Sequence, residues 1–184
     1  MSGAQRRWAG ELLHFWFHRL TPRAWFGGSA ELDREIEKRF RPELEALFLM
    51  PPASFTATPA EALAAVLLFD QVPRNLFRGT PRAFATDPLA CAITRQALDL
   101  GFDSALTGEQ AQFLAMPLMH SEHIADQRLS LKVFRRINSG SNLAFARSHY
   151  RMIARFSRFP HRNKVLARRS TPAEKRAVEA GFAW

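Results

Sequence analysis

The residues best equipped for chemistry fall in three blocks. Phe69-Asp70-Gln71-Val72-Pro73-Arg74-Asn75, with Arg78 just beyond, ends an apolar run with a carboxylate and an amide and follows it with guanidiniums. Met119-His120-Ser121-Glu122-His123, with Asp126 and Gln127, is the densest polar cluster in the chain. The third block runs from Phe145 to Arg169, where eight of 25 residues are Lys or Arg and none is acidic. It places His149 on an apolar helical face beside the row Arg147, Arg151, Arg155 and Arg158, and ends in the turn Pro160-His161-Arg162-Asn163. Guanidinium forks match carboxylates and phosphates. Asp70, Gln71, Arg74, Asn75, Arg78, Arg158, His161, Arg162 and Asn163 are therefore the candidate ligand-binding residues, for an anion. For catalysis the candidates are His120 or His149 as acid/base, with Glu122 orienting the imidazole.

Each block has a plainer reading. Asp70 at a helix C-terminus opposes the helix dipole and needs a cation, which Arg74 supplies as a structural ion pair. His149 can be a satisfied core histidine. His120 and His123, or Glu122 and Asp126, have spacings that ligate metals from one helix face. No HExxH or Cys-His signature accompanies them, and helix capping by Ser121 accounts for much of the cluster. No metal and no cofactor are expected.

Helices must position these groups. Period-two alternation is absent, and apolar residues recur at helical spacing. The first helix is expected over Arg6–His18 and the second from Ser29 to about Phe48, with a kink or break near Arg39 caused by Pro42. Thr58-Pro59-Ala60-Glu61, Thr107-Gly108-Glu109-Gln110 and Thr171-Pro172-Ala173-Glu174 read as capping boxes. They open helices running to about Gln71, to Met116 before Pro117, and near the C-terminus. Further helices are expected from Asp87 to Leu100, Ser121 to Ile137, and up to Phe159 before Pro160. The reading is one all-α domain, residues 1–184, of seven to eight helices. Phe69–Asn75 and Phe156–Asn163 also echo each other: both are helix ends broken by proline and followed by Arg-Asn.

Composition bounds the partners. The net charge is +9, yet residues 1–127 carry 12 Lys/Arg against 15 Asp/Glu and residues 128–184 carry 14 against 2. Such asymmetry suggests a polyanionic partner, an acidic substrate, or docking on the acidic half of a second copy as a homodimer. The longest apolar run, Ala62–Phe69, is too short to span a membrane. Cys91 is the single cysteine, which excludes an intramolecular disulfide and suits a cytoplasmic location.

The blocks Leu12–Phe17 with Trp25-Phe26, Phe69–Phe84, Met116–Gln127 and Arg155–Glu174 fall in an order that resembles a bacterial family catalogued as domain of unknown function 924. The resemblance implies a tetratricopeptide-like fold of antiparallel helix pairs around a groove, and carries no established activity. It marks Asp70, Gln71, Arg74, Asn75, Arg78, His120, Ser121, Glu122, His149 and Arg158 to Asn163. His14, His123, Ser157 and Ala167 depart from the family pattern, the last two standing where it has glycine. Three functions follow, in order: a binding module for an anionic metabolite or peptide in a His/Arg/Asp/Glu-lined cleft, an enzyme using His120, Glu122 and His149, and weak non-specific nucleic-acid binding. The three blocks are expected to meet near the Pro73 and Pro160 turns, with carboxylates on one side and surplus arginine on the other.

Overall fold

A computed structural model of the chain describes residues 3–27, 29–137 and 140–182. The chain is all-α, with no strand among the described residues. Helix α1 spans Gly3–His14 and continues as a π turn over Phe15–Arg19, followed by the short α2 at Pro22–Phe26 and by α3 at Ala30–Leu47. Then come α4 at Pro59–Val66, a π turn at Leu67–Gln71, α5 at Val72–Leu76, α6 at Asp87–Asp99 and α7 at Gly108–His120. The last three are α8 at Ile124–Arg136, α9 at Gly140–Phe156 and α10 at Pro172–Glu179. The excess over seven or eight helices comes from the five-residue α2 and from the π turn that divides residues 59–76.

Local chemistry sets the helix starts. Thr107 and Thr171 form full capping boxes with Gln110 and Glu174. Thr58 accepts from Glu61 N, but Glu61 does not return the bond, so this box is half formed. Neither Pro42 nor Pro117 ends its helix. Helix α3 runs through Pro42, because Lys38, whose carbonyl loses its i+4 donor, lies on the exposed face where water can replace it. Ion pairs Arg39–Glu35 at 3.0 Å and Arg41–Glu45 at 2.9 Å support that same face. Helix α7 likewise runs through Pro117 to His120.

The main core packs Phe15, Trp16, Phe40, Phe69 and Phe134, each at most 1% exposed, around α4, whose run Ala62–Phe69 is buried on every side. Consecutive helices α6, α7, α8 and α9 pack on one another. A second, much smaller apolar cluster of Met152, Ile153, Phe159 and Ala177 lies under the C-terminal segment.

Two residues on either side of that segment's turn are strained. Ser157 has φ of 57° and Ala167 a φ of 53°, the left-handed region in which glycine carries no Cβ penalty. Glycine, which the resemblance implies at these two positions, would carry no such cost.

Candidate functional site

The site begins with a defect in a helix. Residues 59–76 would form one helix, but Pro73 has no N–H to offer the carbonyl of Phe69. That carbonyl accepts from the Thr86 hydroxyl at 2.6 Å instead. The next two carbonyls, of Asp70 and Gln71, are met by the side chains of Arg74 and, at 3.0 Å, Asn75. The π turn over Leu67–Gln71 thus exchanges backbone bonds for side-chain bonds, and it seats Asp70 and Gln71 in the interior.

Asp70 is fully buried. Its carboxylate receives His120 Nδ1 at 2.8 Å, Gln71 Nε2 at 2.6 Å and Arg74 Nη1 at 3.2 Å. Burial alone would raise its pKa, but Arg74 and His120 together outweigh burial and hold it well below the usual carboxylate range. Arg74 then bonds both oxygens of Asp87, at 2.8 and 3.0 Å. Arg162 reaches the same carboxylate at 3.4 Å. Asp87 is pushed above its ordinary value, first by burial and then against the attraction of Arg74, with Asp70 adding repulsion. The two echoed proline-broken helix ends therefore meet: Arg74 follows Pro73, Arg162 follows Pro160, and both reach Asp87.

Arg162 is 7% exposed, and its guanidinium carbon lies 4.5 Å from the Phe84 ring centroid and 4.6 Å from that of Phe159. Its Nε has no hydrogen-bond partner. Burial lowers its pKa to about 10, which the attraction of Asp87 only partly opposes. His149 packs edge-on to Phe159 at 5.4 Å and lies 6.4 Å from His120, while its Nδ1 donates to the Phe145 carbonyl at 2.8 Å. Burial and then the charge of His120 lower the His149 pKa to about 3. His161 also packs against Phe159, at 5.6 Å, and burial with Arg162 lowers its pKa to about 4.

Behind this cluster a second knot ties down the C-terminal segment. Glu122 accepts from Arg168 at 2.7 and 3.0 Å and from the Phe159 N–H at 2.7 Å. Arg168 also holds Asn163 Oδ1 at 2.9 Å and the Phe159 carbonyl at 3.1 Å. Nearby, Gln127 Nε2 closes the end of α7 by donating to the carbonyls of Met119 and Ser121, both at 2.7 Å.

Asp70, Gln71, Arg74, His120, His149, His161 and Arg162 thus come together, as the sequence blocks suggest. Other assignments change. Glu122 orients no histidine; Asp70 holds His120, while Glu122 serves Arg168 and the Phe159 backbone. Arg158 stands outside the cluster, bonded to Glu174 at 2.6 Å, and Arg78 is exposed and paired with Asp33 at 3.2 Å. Asn75 caps the Gln71 carbonyl and Asn163 anchors Arg168 and Ser170, so both are scaffold. Ser121 starts no helix: its hydroxyl donates to Asp126 at 2.7 Å and accepts from His123 N, and α8 begins at Ile124. Carboxylates and guanidiniums alternate instead of facing each other across a cleft. Three acids (Asp70, Asp87, Glu122) meet three arginines (Arg74, Arg162, Arg168), so the expected surplus of arginine is absent by count, and Arg162 holds the longest of these contacts.

Asp87, Phe84 and Arg168 are contributors that sequence reasoning passes over. Asp87-Pro88 reads only as a helix start, and Arg168 is one of many cations in its stretch. Two grooves of about 420 Å³ flank α1, one lined by Arg7, Trp8 and Glu43 among others and one by Leu13, Thr58 and Glu61, and neither touches the cluster. Among the described residues no group of three His, Cys, Asp or Glu converges as a metal cage. No helix among them is long and apolar enough to cross a membrane.

Among solved structures, a protein of unknown function, ATU0120 from Agrobacterium tumefaciens, is similar over 94% of this chain and 97% of its own, with a TM-score of 0.88 and 35% identity. No curated protein matches the chain. The model of a bacterial protein family of unknown function, DUF924, matches residues 12–181, and the chain belongs to that family.

Proposed function

We propose that this protein is a binding module for a small anion carrying a carboxylate or phosphate, received at Arg162 beside His149 and His161. One observation carries the reading: Arg162 is a buried cation with weak compensation. Among the described residues its one carboxylate contact is at 3.4 Å, to an oxygen that Arg74 already holds at 3.0 Å, and its Nε has no hydrogen-bond partner. A buried charge is costly unless paired and hydrogen-bonded. The stacked rings of Phe84 and Phe159 fix the guanidinium plane in advance, which lowers the ordering cost of binding. The consecutive packed helices around it support a tetratricopeptide-like arrangement.

The test is thermal unfolding and calorimetric titration with inorganic phosphate and with acetate. The expected result is a rise in melting temperature and saturable binding for the parent protein, weakened at least tenfold in Arg162→Lys, which keeps the charge but loses the fork. If neither anion binds and Arg162→Ala unfolds, the network is a structural lock and the proposal fails.

A second reading rests on a different contact. The 2.8 Å bond from His120 Nδ1 to Asp70 fixes the imidazole's tautomer and orientation, as carboxylates do for general acid–base histidines. In that reading His120 moves a proton, Asp70 positions it, and Arg162 clamps an anionic substrate. Screened against phosphoester and carboxylic ester panels, His120→Gln would then lose kcat with little change in KM, while Arg162→Lys would raise KM. Equal turnover in His120→Gln and the parent would dismiss it.

A further inference from the structure

No Asp or Glu occurs between Asp126 and Glu174, while twelve Lys or Arg do. Four of the twelve make an ion pair: Arg136 with Asp103, Arg158 with Glu174, Arg162 with Asp87 and Arg168 with Glu122. The other eight are exposed and make no ion pair among the described residues. Six of these stand in two rows. Arg128, Lys132 and Arg135 lie on the α8 face opposite buried Gln127, Ser130 and Phe134; Arg147, Arg151 and Arg155 lie on the α9 face opposite His149, Met152 and Ile153. The two helices pack directly on each other.

We infer that the α8–α9 surface binds the phosphodiester backbone of a nucleic-acid duplex, without regard to sequence, and that this activity is separate from the Arg162 site. Charge complementarity supplies the attraction: the α9 row alone lines up three cations without an ion pair, which displace condensed counterions from phosphates, and the α8 row adds three on the neighbouring helix. Arginine outnumbers lysine five to one in the rows, which favours forked contacts to phosphate oxygens. The three α9 arginines span about 12 Å of helix, with exposed Ala144 and Ala154 beside them, so short side chains leave the rod close access to a phosphate backbone. A membrane fits less well, because surface-bound helices bury a broad face of large apolar side chains, whereas the α9 row is flanked by alanine and the α8 row has only Ile124 beside it. No Asn or Gln joins the arginines on the outward rows, so the bidentate adenine contact is not available to them.

The experiment is fluorescence anisotropy with a short labelled DNA duplex and an RNA duplex of the same sequence, from about 50 mM to about 200 mM salt. Binding to either or both duplexes is expected at low salt, falling steeply as salt rises. The charge-removing variant R147Q/R151Q/R155Q is expected to bind at least tenfold more weakly at low salt and to lower the slope of log K against log salt by about 3, and Arg151→Gln alone by about 1. These residues are exposed, and unchanged circular dichroism confirms that the variants fold. No binding to either duplex, an unchanged slope in both variants, or tighter binding to phosphatidylserine vesicles than to the duplexes overturns the inference.

Discussion

The two apolar clusters of this protein are held together by different physics. Around α4, large side chains such as Trp16, Phe15, Phe40, Phe69, Phe134 and Leu67 are under 2% exposed and the helices close on one another through apolar area. Under the C-terminal segment the buried apolar cluster among the described residues is Met152, Ile153, Phe159 and Ala177, and the segment is attached by Arg162–Asp87, Arg168–Glu122, the Glu122–Phe159 N–H bond and Arg158–Glu174. Apolar burial is non-directional and indifferent to protonation, whereas charge-assisted bonds fail one residue at a time. The main core is therefore a scaffold, and the C-terminal segment, which carries His161 and Arg162, is a part that chemistry can loosen.

The contrast is broken most severely from the scaffold side. Phe69→Ala leaves a cavity in the main core and is expected to cost about 3–5 kcal/mol, seen as a lowered denaturant midpoint for the whole chain. Glu122→Ala should cost less, about 1–3 kcal/mol, by stranding Arg168 and the Phe159 N–H. Hydrogen exchange should place its effect in residues 157–170 and leave 62–69 protected. Equal exposure of both regions would mean that the chain unfolds as one unit.

Acid sharpens the comparison next. His149 and His161 have folded pKa values of about 3 and about 4 against an ordinary 6.5, so the unfolded state binds more protons below pH 6.5. Stability contributed by these neutral histidines is present above that pH and is lost as pH falls towards 4, by up to about 1.4 kcal/mol per pH unit for each. Asp70 extends the loss lower, since its depressed pKa stabilises only while it is ionised. Asp87, shifted upwards, works in the opposite direction and offsets part of it. His149 faces His120, Arg162 and His161, so the effect belongs to the cluster. Denaturation followed from pH 7 to pH 4 should show this loss, and His149→Phe should reduce its slope.

The smallest expected effect is a gain. Ser157→Gly and Ala167→Gly relieve left-handed backbone and should each stabilise by about 1 kcal/mol or slightly less, since glycine also loses more freedom on folding. Slower exchange confined to residues 157–170 would confirm that the benefit is local.

The helices are legible in the sequence because caps and periodicity are local signals. Thr107, Thr171 and Ser29 stand where they cap. The π turn at Leu67–Gln71 is not legible, since Ala62–Phe69 is buried on all sides and shows no periodicity to interrupt. Pro42 and Pro117 leave their helices unbroken because a single lost bond can be absorbed by solvent or packing. At the site, convergence of the three blocks is legible from the need to satisfy many scattered polar groups. Partner choice is not. Glu122 and Asp70 are both acids within reach of histidine and arginine by sequence, and only the fold assigns Arg168 to one and His120 to the other. Asp87 joins the network because α6 starts beside the Pro73 break, a tertiary fact with no local signature.

The measurement that bears most directly on the central claim is hydrogen exchange of the intact chain with and without inorganic phosphate. If the C-terminal segment is the polar-fastened part and Arg162 receives an anion there, amides of residues 157–169 will exchange faster than those of 62–69. Phosphate will slow them in the parent protein and not in Arg162→Lys. Exchange of residues 157–169 that is the same with and without phosphate would contradict the account.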